Sequence, residues 1–130
     1  MPTSFQCIIT TPEEQLLDEQ VGYVSLPAWD GQLGVQHLHA PLLVKLGYGP
    51  LTLTAEDGSK KSFFVGGGFA QVKDNILDVL TDEALPPERI NRAEAEAALA
   101  EAQASKATGP NALQRRQNDL SRARAMIAMG

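Results

Sequence analysis

Short apolar runs separated by turn residues fill the first two thirds of the chain. Phe5 to Ile9 predicts a first strand, closed by Thr10-Thr11-Pro12-Glu13. Gln15 to Leu26 is long enough for one bent strand or two short ones, and neither of its faces is cleanly polar. Asp30-Gly31 reads as a turn, followed by a short strand from Gln32 to Val35. Pro41 opens Leu42 to Leu46, and Tyr48-Gly49-Pro50 turns into the two-period alternation Leu51 to Ala55. Glu56-Asp57-Gly58-Ser59 is the strongest hairpin signal, because Asp-Gly suits turns that match strand twist. Lys61 to Val65 pairs back, and Phe69 to Val72 forms a second hairpin with Ile76 to Leu80 across Lys73-Asp74-Asn75. Turn signals every eight to ten residues or so, without a helical period, predict an antiparallel β-sandwich to about Asp82.

At Pro86-Pro87 the pattern changes. Glu88 to Ala107 is built from strong helix formers, and Ile90, Ala93, Ala97, Ala100, Ala104 and Ala107 form a narrow seam at three- and four-residue spacing. Thr108-Gly109-Pro110-Asn111 breaks the helix, with Gly109 as terminator and Asn111 as the next cap. A second helix over Ala112 to Ala128 places Leu113, Leu120, Ala123 and Ile127 on one side. Two helices with so short a connection fold back as an antiparallel hairpin. The expected fold is therefore α+β by segregation, with a β-sandwich docking domain over 1–85 and a helical hairpin over 86–130. An alanine seam removes little apolar area, so the hairpin is expected to be only marginally stable against swinging away.

Composition adds bounds. The 130 residues are 43% hydrophobic and 21% charged, as in a globular chain. No run of about eighteen apolar residues and no signal pattern ahead of Phe5 is present, so a direct membrane span is not expected. The lone Cys7, inside an apolar run, reads as a buried small hydrophobe. The net charge of −5 is uneven. Residues 1–85 carry 4 lysines against 11 acidic side chains, while residues 102–130 carry 5 basic side chains against Asp119 alone. This favours an acidic protein partner at the tail over nucleic acid, since no aromatic residues interleave with the arginines.

Candidate chemistry is sparse. His37 and His39 would share one face of a strand, but a metal site needs further ligands and the chain has no third histidine. Gly66-Gly67-Gly68 precedes a strand rather than a helix N-terminus, which favours a bulge or close strand crossing over a phosphate cradle. Glu13-Glu14 and Asp82-Glu83 read as solvated turns. No catalytic residue, metal ligand or cofactor site is expected.

Gly31-Gln32-Leu33-Gly34-Val35, then His39-Ala40-Pro41-Leu42, then Gly67-Gly68-Phe69-Ala70-Gln71-Val72, followed by the Ala/Glu-rich tail, resembles the epsilon-subunit family of the F-type ATP synthase (delta in mitochondria). The likeness runs from about Phe5 to Met129 and is strongest over 21–81. It implies a rotor subunit of the central stalk that contacts the gamma subunit and the c-ring and couples ion-driven rotation to ATP synthesis. It places the chain peripherally at the cytoplasmic face of a bacterial plasma membrane. By position, Asp30, Gly31, Gln32, His39, Ala40 and Pro41 correspond to the family's c-ring-facing end, although Gln32 stands where a Glu is common and His37-Leu38 replaces Pro-Gly.

The resemblance also implies that the hairpin can extend toward the alpha/beta catalytic head and inhibit ATP hydrolysis, with Arg115, Arg116, Arg122 and Arg124 as the basic face. Some members bind ATP through I-D-x-x-R-A. Here Ile90, Asn91, Glu94 and Ala95 occupy those positions, with an anion in place of the arginine, so ATP binding is expected to be weak or absent. Two alternatives stand beside this reading. One is a stand-alone sandwich adaptor whose basic tail binds an acidic protein. The other is a small β-barrel metal- or sugar-binding enzyme.

Overall fold

The computed structural model describes residues 4–106 and 108–129. Ten strands form two five-stranded sheets, and two helices follow. The strands are β1 (Phe5–Thr10), β2 (Gln15–Val21), β3 (Tyr23–Ala28), β4 (Gly31–Gln36), β5 (Leu42–Lys45), β6 (Tyr48–Thr54), β7 (Lys60–Gly66), β8 (Phe69–Lys73), β9 (Ile76–Leu80) and β10 (Glu83–Leu85). One sheet has the order β2-β1-β9-β8-β5 and the other β10-β7-β6-β3-β4. All neighbours are antiparallel except β1 and β9, which run parallel from Gln6↔Ile76 to Thr10↔Leu80.

Alternation sets the core. Along β1 the buried positions are Phe5, Cys7 and Ile9, and along β9 they are Leu77 and Val79, so each strand turns one face inward. Val21, Val24, Leu26, Val35, Leu51, Leu53, Phe63 and Val65 complete the space between the sheets. The long run from Gln15 to Leu26 resolves into two strands in different sheets, with the crossing at Gly22, whose amide donates to the Thr54 carbonyl. Asp74 and Asn75 both have positive φ, which gives the β8–β9 hairpin the twist of its strands.

Three departures from the expected elements have local causes. Tyr48-Gly49-Pro50 belongs to β6 rather than to a turn. Proline fits there because β3 pairs with β6 only at Thr52–Thr54, so at Pro50 the strand has one neighbour. Beyond Asp82 the chain adds β10, pairing Glu83 with Gly66. A 3-10 turn at Pro87–Arg89 then precedes the first helix, α1 (Arg92–Ala104), which starts four residues later than expected.

The helices also differ in register. In α1 the buried alanines are Ala95 and Ala102, whereas Ala93, Ala97, Ala100 and Ala104 are exposed. Alanine at nearly every second position supports two seams, and the one used carries the half-buried Leu99. Ala107 of the expected seam lies outside the described residues. The second helix, α2 (Pro110–Met129), buries Leu120, Ala123 and Met126, while Leu113 is exposed. Gly109, with φ +87°, leads into α2 rather than ending α1, and Asn111 sits inside its first turn.

Candidate functional site

The site of interest is the junction between α2 and the sandwich. α2 lies across β6 and β7, and α1 packs chiefly against α2. Phe64 points out of β7, away from the main core, and meets Ala95 and Met126 in a small second cluster. Tyr48, Leu85, Ile90, Ile127 and Met129 surround it. Each of the three fully buried members thus comes from a different body: sheet, α1 and α2.

One ion pair among the described residues crosses the same junction. Arg122 donates from Nε to Glu83 Oε2 and from a terminal nitrogen to Glu83 Oε1, both at 2.7 Å. The fork geometry matches the two carboxylate oxygens, and the pair is partly shielded from solvent. Donating to the Glu83 carboxylate raises the Arg122 pKa above its usual value, so its charge is fixed at any physiological pH. Glu83 is placed by β10 and by Thr81, whose buried hydroxyl lies within hydrogen-bond distance of the carbonyls of Gly66, Gly67 and Glu83. Tyr48 lies beside the pair. Burial, then the charge of Asp82, raise its pKa. A cleft of about 520 Å³ opens here, lined among others by Glu13, Glu14, Tyr48, Asp82, Arg89 and Arg122.

The other arginines do different work. Arg116 donates to the carbonyls of Ala102 and Gln103 at 3.0 and 3.3 Å, capping the C-terminal end of α1. A cation there satisfies carbonyls that the helix leaves unpaired. Arg115 and Arg124 are exposed. The four arginines expected to form one basic face are therefore divided, with Arg116 and Arg122 engaged within the chain. The pairing of Arg122 with Glu83, 39 residues away, also corrects the reading of Glu83 as part of a solvated turn, whereas Asp82 is exposed in a bend.

The model for the ATP synthase Delta/Epsilon chain, beta-sandwich domain, matches residues 4–87. The ATP synthase epsilon chain of Rhodopirellula baltica is 40% identical over 95% of this chain and 96% of that one. That of Granulibacter bethesdensis is 37% identical over 92% and 91%. The chain belongs to the ATP synthase epsilon family. Among solved structures, a chain of the Euglena gracilis mitochondrial ATP synthase (OSCP/F1/c-ring, rotational state 1) superposes with a TM-score of 0.85 at 28% identity, covering 98% of this chain and 82% of that one. A chain of the Tetrahymena thermophila central stalk/c-ring shares the fold, with a TM-score of 0.68 at 16% identity.

Against the family frame, the two stretches expected to face the c-ring are not neighbours. Asp30, Gly31 and Gln32 lie at the β3–β4 turn, whereas His39, Ala40 and Pro41 follow the far end of β4. Four residues of β4, 33–36, and the turn at 37–38 separate them, with the strand span about 13 Å. β4 is an edge strand, so the two groups mark the ends of one exposed sheet edge. His37 and His39 lie beyond β4 in a turn that Asn75 holds by accepting from the Leu38 amide at 2.7 Å, so their strand-like alignment is lost. The Gly67–Gly68 crossing is close. A Cβ at Gly68 would collide with the Leu80 carbonyl, and both glycines have positive φ.

At the degenerate ATP-motif positions, Asn91 is the N-cap of α1, its side chain accepting from the Glu94 amide at 3.1 Å. Glu94 stands in the first helical turn, where an anion is favoured. Ala95 is buried and Ile90 half-buried in the second cluster. Asn-x-x-Glu ahead of a helix is a capping pattern legible in the sequence, and reading it would have set the start of α1 correctly.

Proposed function

We propose that this chain is the non-catalytic rotor subunit of an F-type ATP synthase, docked through its sandwich to the gamma subunit and the c-ring. In that place it transmits ion-driven rotation toward ATP synthesis. The observation that carries the reading is likeness along nearly the whole chain to ATP synthase epsilon chains, sandwich and hairpin together. No helix among the described residues is long and apolar enough to cross a membrane, consistent with a peripheral subunit. The chain works at the cytoplasmic face of a bacterial plasma membrane. Its ring-facing surface follows the edge of β4 from Asp30 to Pro41, where unpaired strand amides and carbonyls are open to a neighbour.

The hairpin acts as an inhibitory arm on the alpha/beta catalytic head, through Arg115, Arg116, Arg122 and Arg124. Support comes from the small apolar contact that holds it down, where Phe64 meets Ala95 and Met126. ATP binds weakly or not at all, because Glu94 puts a negative charge where a phosphate would need a cation. Calorimetric titration with ATP is expected to show no micromolar binding, and a micromolar dissociation constant would overturn that part. For the main reading, ATP hydrolysis by a reconstituted alpha-beta-gamma head is measured alone, with the full chain, and with a chain ending at Leu85. Both versions are expected to bind and only the full chain to slow turnover. Failure of either to bind the cognate gamma subunit would reject the rotor assignment in favour of a stand-alone adaptor.

A further inference from the structure

From the geometry at the junction we infer that Glu83 and Arg122 form the latch of the hairpin, and that Arg122 becomes available to an acidic partner only when Glu83 releases it. The inference rests on the inhibitory reading of the hairpin for the partner, but not for the latch.

Three observations converge. First, the pair uses both carboxylate oxygens and two guanidinium nitrogens, at 2.7 Å each, so the Arg122 charge is already matched by a carboxylate and its guanidinium is held against the sandwich. Second, it is the one ion pair among the described residues that joins a helix to the sandwich. The other two join Lys61 to Glu19 within the sandwich and Arg92 to Glu96 within α1. Third, the apolar contact beneath it is small, with Phe64, Ala95 and Met126 as its buried members among the described residues. Where burial is this limited, one well-formed ion pair is a large share of what holds the hairpin down.

Arg116 marks a separate step. Its bonds run to the end of α1, within the hairpin, so they survive if the two helices leave the sandwich together and break only if the helices part. Arg115 and Arg124 are exposed in the docked form already. The four arginines therefore become free in sequence: two at once, Arg122 on undocking and Arg116 on opening.

The test uses the full chain carrying spin labels at Lys73→Cys on β8 and Gln117→Cys on α2, both exposed, with the buried Cys7 left unlabelled. Distance distributions between the labels report docking. Glu83→Gln keeps the shape of the side chain and removes its charge; it is expected to raise the undocked population about fivefold, the size suited to a partly exposed bidentate pair. The double exchange Glu83→Arg with Arg122→Glu restores docking, and Glu56→Gln, on the distant β6–β7 turn, leaves the distances unchanged. An unshifted distribution for Glu83→Gln overturns the latch.

Hydrolysis by the alpha-beta-gamma head is then measured with the same chains. Stronger slowing by Glu83→Gln than by the unsubstituted chain supports competition for Arg122, and equal slowing despite a shifted distribution overturns it. If neither slows hydrolysis while the distances shift, the latch stands and the inhibitory reading falls.

Discussion

The sandwich and the hairpin are stabilised by different kinds of contact. All the largest fully buried side chains among the described residues, from Phe5 to Val79, belong to the strands. The helices bury Ala95, Ala102, Leu120, Ala123 and Met126, of which only Leu120 and Met126 are large. At about 25 cal/mol per Å², an alanine contributes a small fraction of what a buried leucine or phenylalanine does. One body is therefore held by a closed apolar core with a defined register. The other is held by a thin seam, a small cluster at Phe64, and charged side chains that could be satisfied elsewhere.

The comparison breaks most sharply at the glycine crossing. Gly68→Ala forces a side chain into a positive φ and onto the Leu80 backbone, and is expected to destabilise the sandwich by about 4 kcal/mol in urea unfolding. An unchanged midpoint would mean that the crossing is not tight.

In the hairpin, Met126→Ala is expected to weaken docking by about 2 kcal/mol while leaving the sandwich transition in place. Circular dichroism at the helix band, followed beside near-ultraviolet signals from Tyr and Trp, separates the two. A joint shift of both transitions would show that the bodies unfold as one.

Alkaline pH sharpens the contrast from the other side. Burial pushes the Cys7 thiol up from 9.0 to about 12, with smaller contributions from Glu19, Asp78 and Asp18. The unfolded chain loses this proton near pH 9 while the folded chain keeps it. Its contribution to stability is therefore complete below pH 9 and declines as pH rises toward 12. By pH 10 the loss is about 1 kcal/mol. The difference between the native chain and Cys7→Ala in denaturant midpoint, at pH 7 and pH 10, measures it. Equal differences at both pH values would contradict a buried thiol.

The smallest effect belongs to Arg116→Ala, about 0.5–1 kcal/mol from a lost helix-end cation. It is expected to speed amide exchange at the end of α1 without altering the docking distances.

Strand positions were legible because each signal is local: alternation in Leu51 to Ala55, Asp57-Gly58 at one turn, Asp74-Asn75 at another. What failed depended on distance or on degeneracy. β10 has three residues, too few for a period, and its existence depends on β7 beside it. The alanines of α1 allow two seams, and Phe64 and Met126, both remote in sequence, select one. The family motifs single out two stretches, and whether Asp30 and His39 share an end is decided by the length of β4. Nothing at Arg122 announces Glu83. Charge counts locate a basic helix face but not which of its cations are already engaged.

Residue-resolved amide hydrogen exchange on the isolated full chain tests the central inequality directly. The account predicts that amides of α1 and α2 exchange through a low-energy opening, orders of magnitude faster than those of Leu51–Leu53 and Phe63–Val65, which exchange only with global unfolding. Equal protection of helices and strands would contradict it, making the chain one cooperative body with no separately releasable arm.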